Sequence, residues 1–174
     1  MANRTLIFGN IGAGKSALAI KISSITGQKH IELDELAWHD EQHSIAEKMQ
    51  FLSSELQHLN TSGNWVAEGV FGQSLSKLMV KTTQVIFLDM PLPVCLNQLD
   101  KRYRDKLHVS DLERQKLWAR SYYQRETANS YAYHSELFDR FSGHKIRISD
   151  AKSLKEFCAK LDRTKNAHNL TLID

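Results

Sequence analysis

One stretch constrains this chain more than any other. Gly9-Asn10-Ile11-Gly12-Ala13-Gly14-Lys15-Ser16 fits G-x-x-x-x-G-K-[ST] and directly follows the apolar run Thr5-Leu6-Ile7-Phe8. Three glycines in six positions let the backbone turn with positive φ and bring its N–H groups against phosphate oxygens with no Cβ in the way. Ser16 to Ile22 reads as a helix, so its N-terminal dipole faces the same anion. In such a loop Lys15 neutralises the β- and γ-phosphates and the Ser16 hydroxyl coordinates Mg²⁺. A chance match in a chain this long is on the order of one in a hundred. The competing reading is a plain glycine-rich turn between a strand and a helix.

The 174 residues, 41 % hydrophobic and 25 % charged, suit one globular domain. The expected layout is a core over 4–163, a lid near 104–112 and a polar, loosely held tail over 164–174. No apolar stretch approaches the ~20 residues that span a bilayer, and Met1 to Thr5 lacks the apolar segment of a signal peptide. A cytoplasmic protein, monomer or homodimer, is expected. Cys95 and Cys158 sit among apolar residues outside any C-x-x-C pair and read as reduced, buried thiols.

A net charge of +3 does not by itself argue for nucleic acid, but the distribution is informative. No arginine occurs between Arg4 and Arg102, whereas Lys101, Arg102, Arg104, Lys106, Arg114, Lys116, Arg120 and Arg125 crowd one stretch. The aromatics interleaved there, Tyr103, Trp118, Tyr122 and Tyr123, read more simply as core than as a stacking platform for bases.

Five short runs rich in β-formers punctuate the chain: Thr5 to Phe8, His30 to Leu33, Trp65 to Ala67, Gln84 to Leu88 and Lys145 to Ile148. Helical spacing fills the stretches between them, which implies an α/β fold: a parallel sheet with helices on both faces. Val85-Ile86-Phe87-Leu88 is continuously apolar, as a strand near the sheet centre is. Helices are predicted over 44–59, 72–81, from Pro91 to Tyr103, as one long segment over 112–137, and from about Leu154.

Ligands in open α/β folds bind at the carboxyl ends of strands, where Asp34, Glu68 and Asp89 all fall. Asp34 could deprotonate an acceptor hydroxyl or hold a Mg²⁺-bound water; its structural alternative is to end a strand or cap a helix. Glu68 is either a functional carboxylate or an ordinary one after a strand. Asp89, ahead of Pro91 and Pro93, divides evenly between metal binding and helix capping. Arg102 is the favoured source of a guanidinium that stabilises charge on a transferred phosphoryl group. His39 and His43 read as surface or substrate contacts and not as zinc ligands.

Three pieces carry a family resemblance: Leu6 to Ser16, Ile31-Glu32-Leu33-Asp34-Glu35-Leu36-Ala37-Trp38, and Trp65 to Gly69 followed by Val85 to Pro91. Over roughly residues 4 to 104 the chain resembles the adenylate kinase-related P-loop proteins named topology modulation proteins, and more distantly adenylate and shikimate kinases. The resemblance implies a P-loop NTPase fold with a five-stranded parallel sheet, Mg²⁺ and ATP as cofactors, and a short basic lid. It places Glu68 where relatives help hold Mg²⁺ through water, Asp34 on the acceptor side and Arg102 near the lid, with Arg104 beside it. Tyr123-Gln124-Arg125-Glu126-Thr127 is similar to the helix after the lid. The catalytic arginine expected four positions before that tyrosine is Ala119 here, so Arg120 next door is the candidate and Arg125 the second.

Nucleoside monophosphates and carboxylate substrates are usually clamped by arginine forks, and residues 5 to 101 offer none; Lys48, Lys77 and Lys81 are less directional. An uncharged hydroxyl acceptor, nucleoside or sugar-like, is therefore favoured over a nucleoside monophosphate. The expected activity is transfer of the γ-phosphate of Mg·ATP to that acceptor. Its rivals are a nucleotide-dependent or DNA-associated regulator, and an ATPase whose acceptor is water.

Overall fold

Five strands, all parallel, lie in the order β2-β3-β1-β4-β5 in a computed structural model that describes residues 2–34, 54, 57, 63–70, 72–104 and 108–170. They are β1 (Arg4–Gly9), β2 (Lys29–Glu32), β3 (Trp65–Gly69), β4 (Gln84–Leu88) and β5 (His144–Ile148). The helices are α1 (Lys15–Thr26), α2 (Gly72–Met79), α3 (Leu92–Tyr103), α4 (Val109–Arg120), α5 (Tyr131–Arg140) and α6 (Ala151–Leu170). Each predicted strand is present within a residue or two.

The apolar character of the strands tracks their place in the sheet. Leu6, Ile7 and Phe8 of β1 and Val85 to Leu88 of β4 are wholly buried, because both faces of an interior parallel strand are covered. The edges are charged instead: Lys29, His30 and Glu32 on β2, and His144, Lys145 and Arg147 on β5. Charge on an edge strand opposes pairing with another chain. Alternate β1 residues point to opposite faces. Ile7 joins Leu18, Ala19 and Ile22 of α1, Cys95 of α3 and the apolar side of α6; Leu6 and Phe8 join Leu75 and Leu78 of α2 and Phe138 of α5.

α1 ends in Gly27 at φ 70°, whose N–H donates to Ser23, and Gln28 behind it is buried, its Nε2 donating to the Trp65 and Asn3 carbonyls. α3 opens with Pro91 as N-cap and Pro93 in its first turn, where a missing N–H costs nothing.

The long helix expected over 112–137 is two helices. α4 ends at Arg120, a 3₁₀ turn covers Ser121–Tyr123, and α5 begins after Ser130, whose Oγ accepts from the Tyr133 amide. Ser130 offers the new helix an N-cap, and the periodicity of the aromatics runs through the break because Tyr122, Tyr123 and Tyr131 pack on one another. α6 also runs further than expected, through Leu170, into the stretch read as a tail. Most of the helix expected over 44–59, together with Lys48, His39 and His43, lies outside the described residues. No helix among the described residues is long and apolar enough to cross a membrane.

Candidate active site

From β1 the chain runs to β2, returns to β3 beside β1, and then crosses to β4 on the other side of β1. The carboxyl ends of β1 and β3 therefore flank the point where the winding reverses, the usual ligand crevice of an open parallel sheet. The glycine loop leaves β1 there. A Cβ on Gly9 (φ 149°) would stand 2.3 Å from the Leu88 carbonyl oxygen, and one on Gly12 (φ 75°) 2.4 Å from that of Cys95. Only glycine lets the loop lie this close to β4 and α3.

Asn10, 2 % exposed, braces the loop from within. Its Oδ1 accepts from the Ile11 amide at 2.8 Å, and its Nδ2 donates to the Ala119 carbonyl at the end of α4, 3.0 Å away. Lys15, the first residue of α1, is buried and folds back so that Nζ donates to the Asn10 carbonyl at 3.1 Å. That bond engages one of three ammonium donors, which leaves the others for an anion at the α1 N-terminus.

Glu68 of β3 is 4 % exposed and accepts from the Ser16 hydroxyl at 2.7 Å. Burial raises its carboxyl above the usual range; Lys15 and the Ser16 bond oppose that rise, while the Asp34 and Glu32 charges add to it. Lys15, Ser16, Glu68 and Asp34 thus form one electrostatic group drawn from α1, β3 and the turn after β2. Asp34, two residues past β2, accepts from the Val70 amide at 2.9 Å, and its Oδ1 lies 2.8 Å from where a Cβ on Gly69 would stand. Oxygen donors at Ser16 and Glu68 suit a hard divalent cation such as Mg²⁺.

The arginines separate clearly. Arg102 is exposed near the end of α3, its guanidinium 5.2 Å from the Tyr103 ring centroid, and Arg104 is exposed beside it. Arg120 is exposed and follows Ala119, the residue held by Asn10, which sets its backbone next to the loop. Arg125 stacks 3.9 Å over Trp118 and donates to the Asn129 carbonyl, with Nε and Nη1 buried and without a partner among the described residues. Lys116 joins α4 to α3 through Asp100 at 2.6 Å and to Glu113 of its own helix at 3.0 Å. Both cysteines are free; Cys95 is buried and its thiol is pushed up to about 11 by that burial, whereas Cys158 is only partly covered.

Asp89 does not take the capping role expected of it. Its carboxylate pairs with Arg147 of β5 at 2.7 Å, and α3 is capped without its side chain. The opposite-charge partner sits one strand over, which spacing along the chain does not show.

Sequence reasoning also missed a buried pair behind Asp34. His134 of α5 is fully buried; its Nε2 meets the Val70 carbonyl at 2.8 Å and its Nδ1 the Tyr122 hydroxyl at 2.6 Å. A carbonyl can only accept, so Nε2 carries the proton and Tyr122 donates to Nδ1. The available signal was a histidine four residues after an N-cap serine, on the apolar side of a helix.

The strand, glycine loop and Lys-Ser helix at the reversal point of a five-stranded parallel sheet define a P-loop NTPase fold of the small kinase type. Solved structures of that kind match along nearly their whole length. A shikimate kinase from Bacteroides thetaiotaomicron is 15 % identical with a TM-score of 0.59, over 94 % of this chain and 98 % of its own. A gluconokinase from Sinorhizobium meliloti 1021 is 15 % identical with a TM-score of 0.57, over 98 % and 97 %. A deoxyadenosine kinase from M. mycoides with bound dATP is 16 % identical with a TM-score of 0.53, over 91 % and 99 %. None of these three is a topology modulation protein. No protein-family model matches the chain, and no curated protein matches it by sequence.

Proposed function

We propose that this protein is a small-molecule kinase that transfers the γ-phosphoryl group of Mg·ATP to a hydroxyl of an uncharged, nucleoside- or sugar-like acceptor. The observation that carries this reading is the convergence of Lys15, Ser16, Glu68 and Asp34 on the mouth of the glycine loop. Fold neighbours named gluconokinase, shikimate kinase and deoxyadenosine kinase support the small-molecule kinase part of this reading.

The loop amides and the α1 N-terminus bind the phosphate chain, and Lys15 turns its remaining ammonium donors to phosphate oxygen. Ser16 and Glu68 would hold Mg²⁺, which when bound would screen charge on the β- and γ-phosphates. Asp34, oriented by the Val70 amide, accepts the proton of the acceptor hydroxyl or aligns it for in-line attack. Arg120, set beside the loop by the Asn10–Ala119 bond, stabilises charge on the transferred group, with Arg102 as the alternative source. Most of the barrier reduction in such a site comes from positioning and fixed charge.

The test is ATP-to-ADP turnover with Mg²⁺, alone and against nucleosides, nucleoside monophosphates, sugars and shikimate-like acids. Stimulation by one neutral acceptor, lost in Lys15→Ala and Asp34→Ala, is the expected result. Equal turnover with and without every acceptor would make the protein an ATPase, and strong AMP phosphorylation would overturn the neutral acceptor.

A further inference from the structure

Three side chains able to bind a metal meet at the β2 edge of the sheet. His30 and Glu32 alternate on β2 and so share one of its faces. In the parallel register His30 stands beside Val66 and Glu32 beside Glu68, which puts all three polar groups on the side where Ser16 reaches Glu68. One potential ligand atom from each of His30, Glu32 and Glu68 lies within 4.8 Å of the other two.

Two features of this cluster call for a cation. Glu32 and Glu68 place carboxylate oxygens side by side on neighbouring strands, and Glu68 is 4 % exposed, so oxygen donors gather where water reaches little. The His30 Nε2 atom is buried with no hydrogen-bond partner among the described residues, although buried ring nitrogens are normally paired. A bound metal would accept the nitrogen lone pair and offset the carboxylate charges together.

We propose that His30, Glu32 and Glu68 form a binding site for a divalent transition-metal cation of the Mn²⁺, Co²⁺ or Zn²⁺ class, one that fills without nucleotide. The donor set decides the class. An imidazole nitrogen with two carboxylates suits these borderline ions, whereas Mg²⁺ favours oxygen ligands and water. The site is distinct from a nucleotide-borne Mg²⁺ in using β2 and a nitrogen ligand, and it touches the glycine loop only through Glu68 and its bond to Ser16. It does not rest on the kinase reading, and an inactive protein would still bind the ion.

The experiment is a Mn²⁺ titration of the nucleotide-free full chain, with free ion counted by electron paramagnetic resonance and the bound ion examined by electron spin-echo modulation. We expect a single bound ion whose spectrum carries nitrogen hyperfine coupling. His30→Ala should abolish the coupling and weaken binding by about 100-fold, and Glu32→Gln should weaken it by about tenfold or more. Ser16→Ala, which removes the hydroxyl expected to serve the nucleotide's metal, should keep the coupling. Thermal melting checks that each variant is folded, and His30→Gln, closer in shape, gives the same readout should the alanine variant be unstable. No bound ion at millimolar Mn²⁺, a bound ion without nitrogen coupling, or coupling that survives loss of His30 would each overturn the proposal.

Discussion

Two buried polar clusters lie on opposite faces of the same central strands, and they are built by opposite rules. On the α5 face, His134 sits among Phe8, Phe87 and Tyr122, with ring centroids 5.5, 6.3 and 5.5 Å away. Both its nitrogens are partnered, and burial pulls its pKa down to about 4, so the imidazole is neutral. On the α1 face, Glu68 is equally covered but faces a lysine, a serine and two further carboxylates. Neutral, paired polarity fixes the packing of a core; charged polarity gathered at one buried spot marks a place suited to a ligand.

Removing the charge that faces the ligand should have the largest effect. Lys15→Ala is expected to lower turnover by about 1000-fold or more, measured as ADP release, with little change in the melting temperature. Intact turnover in that variant would take the loop out of the chemistry.

His134 should show the reverse pattern. His134→Ala removes a buried ring and leaves the Val70 carbonyl and Tyr122 hydroxyl unpaired, at a cost of about 3 kcal/mol in urea unfolding. The same residue sets an acid limit. Its pKa is about 4 when folded against 6.5 for the free group, so between those values the unfolded chain binds more protons and stability falls as pH drops. The loss approaches roughly 3 kcal/mol below pH 4. Unfolding at pH 7 and 4.5 should show a smaller acid loss in His134→Gln than in the native chain; equal losses would mean that His134 is not the sensor.

Smaller effects sharpen the contrast. Arg120→Ala should reduce turnover by about tenfold and Arg102→Ala by less, in line with the Asn10–Ala119 bond. The reverse order would return the transition-state role to Arg102. Glu68→Gln should raise stability by about 1 kcal/mol, since it removes a desolvated charge, while it lowers turnover. If Glu68→Gln destabilises the protein as His134→Ala does, the two clusters do not differ in kind.

Strands and loop were legible because their signals are local. A continuous apolar run such as Val85 to Leu88 implies cover on both faces, and G-x-x-x-x-G-K-S dictates a turn whatever surrounds it. What was not legible depends on partners distant in sequence. Asp89 carries no mark of Arg147, 58 residues on, and Asn10 none of Ala119, 109 residues on. The break after α4 was hidden because its aromatics keep an apolar rhythm across a segment that the Ser130 cap restarts as a separate helix. Glu32 and His30 read as an ordinary alternation until the β3 register set Glu68 alongside.

The Val70 peptide links the two faces: its N–H goes to Asp34 and its carbonyl to His134. Both bonds belong to the backbone, so the identity of the side chain at position 70 is nearly irrelevant to them, and proline alone would sever the first. If Asp34 serves an acceptor as proposed, a lineage changing that acceptor would have two places to mutate. One is Asp34 itself, at the expense of the chemistry; the other is the distant Tyr122–His134 pair, where a substitution re-aims the carboxylate and keeps it.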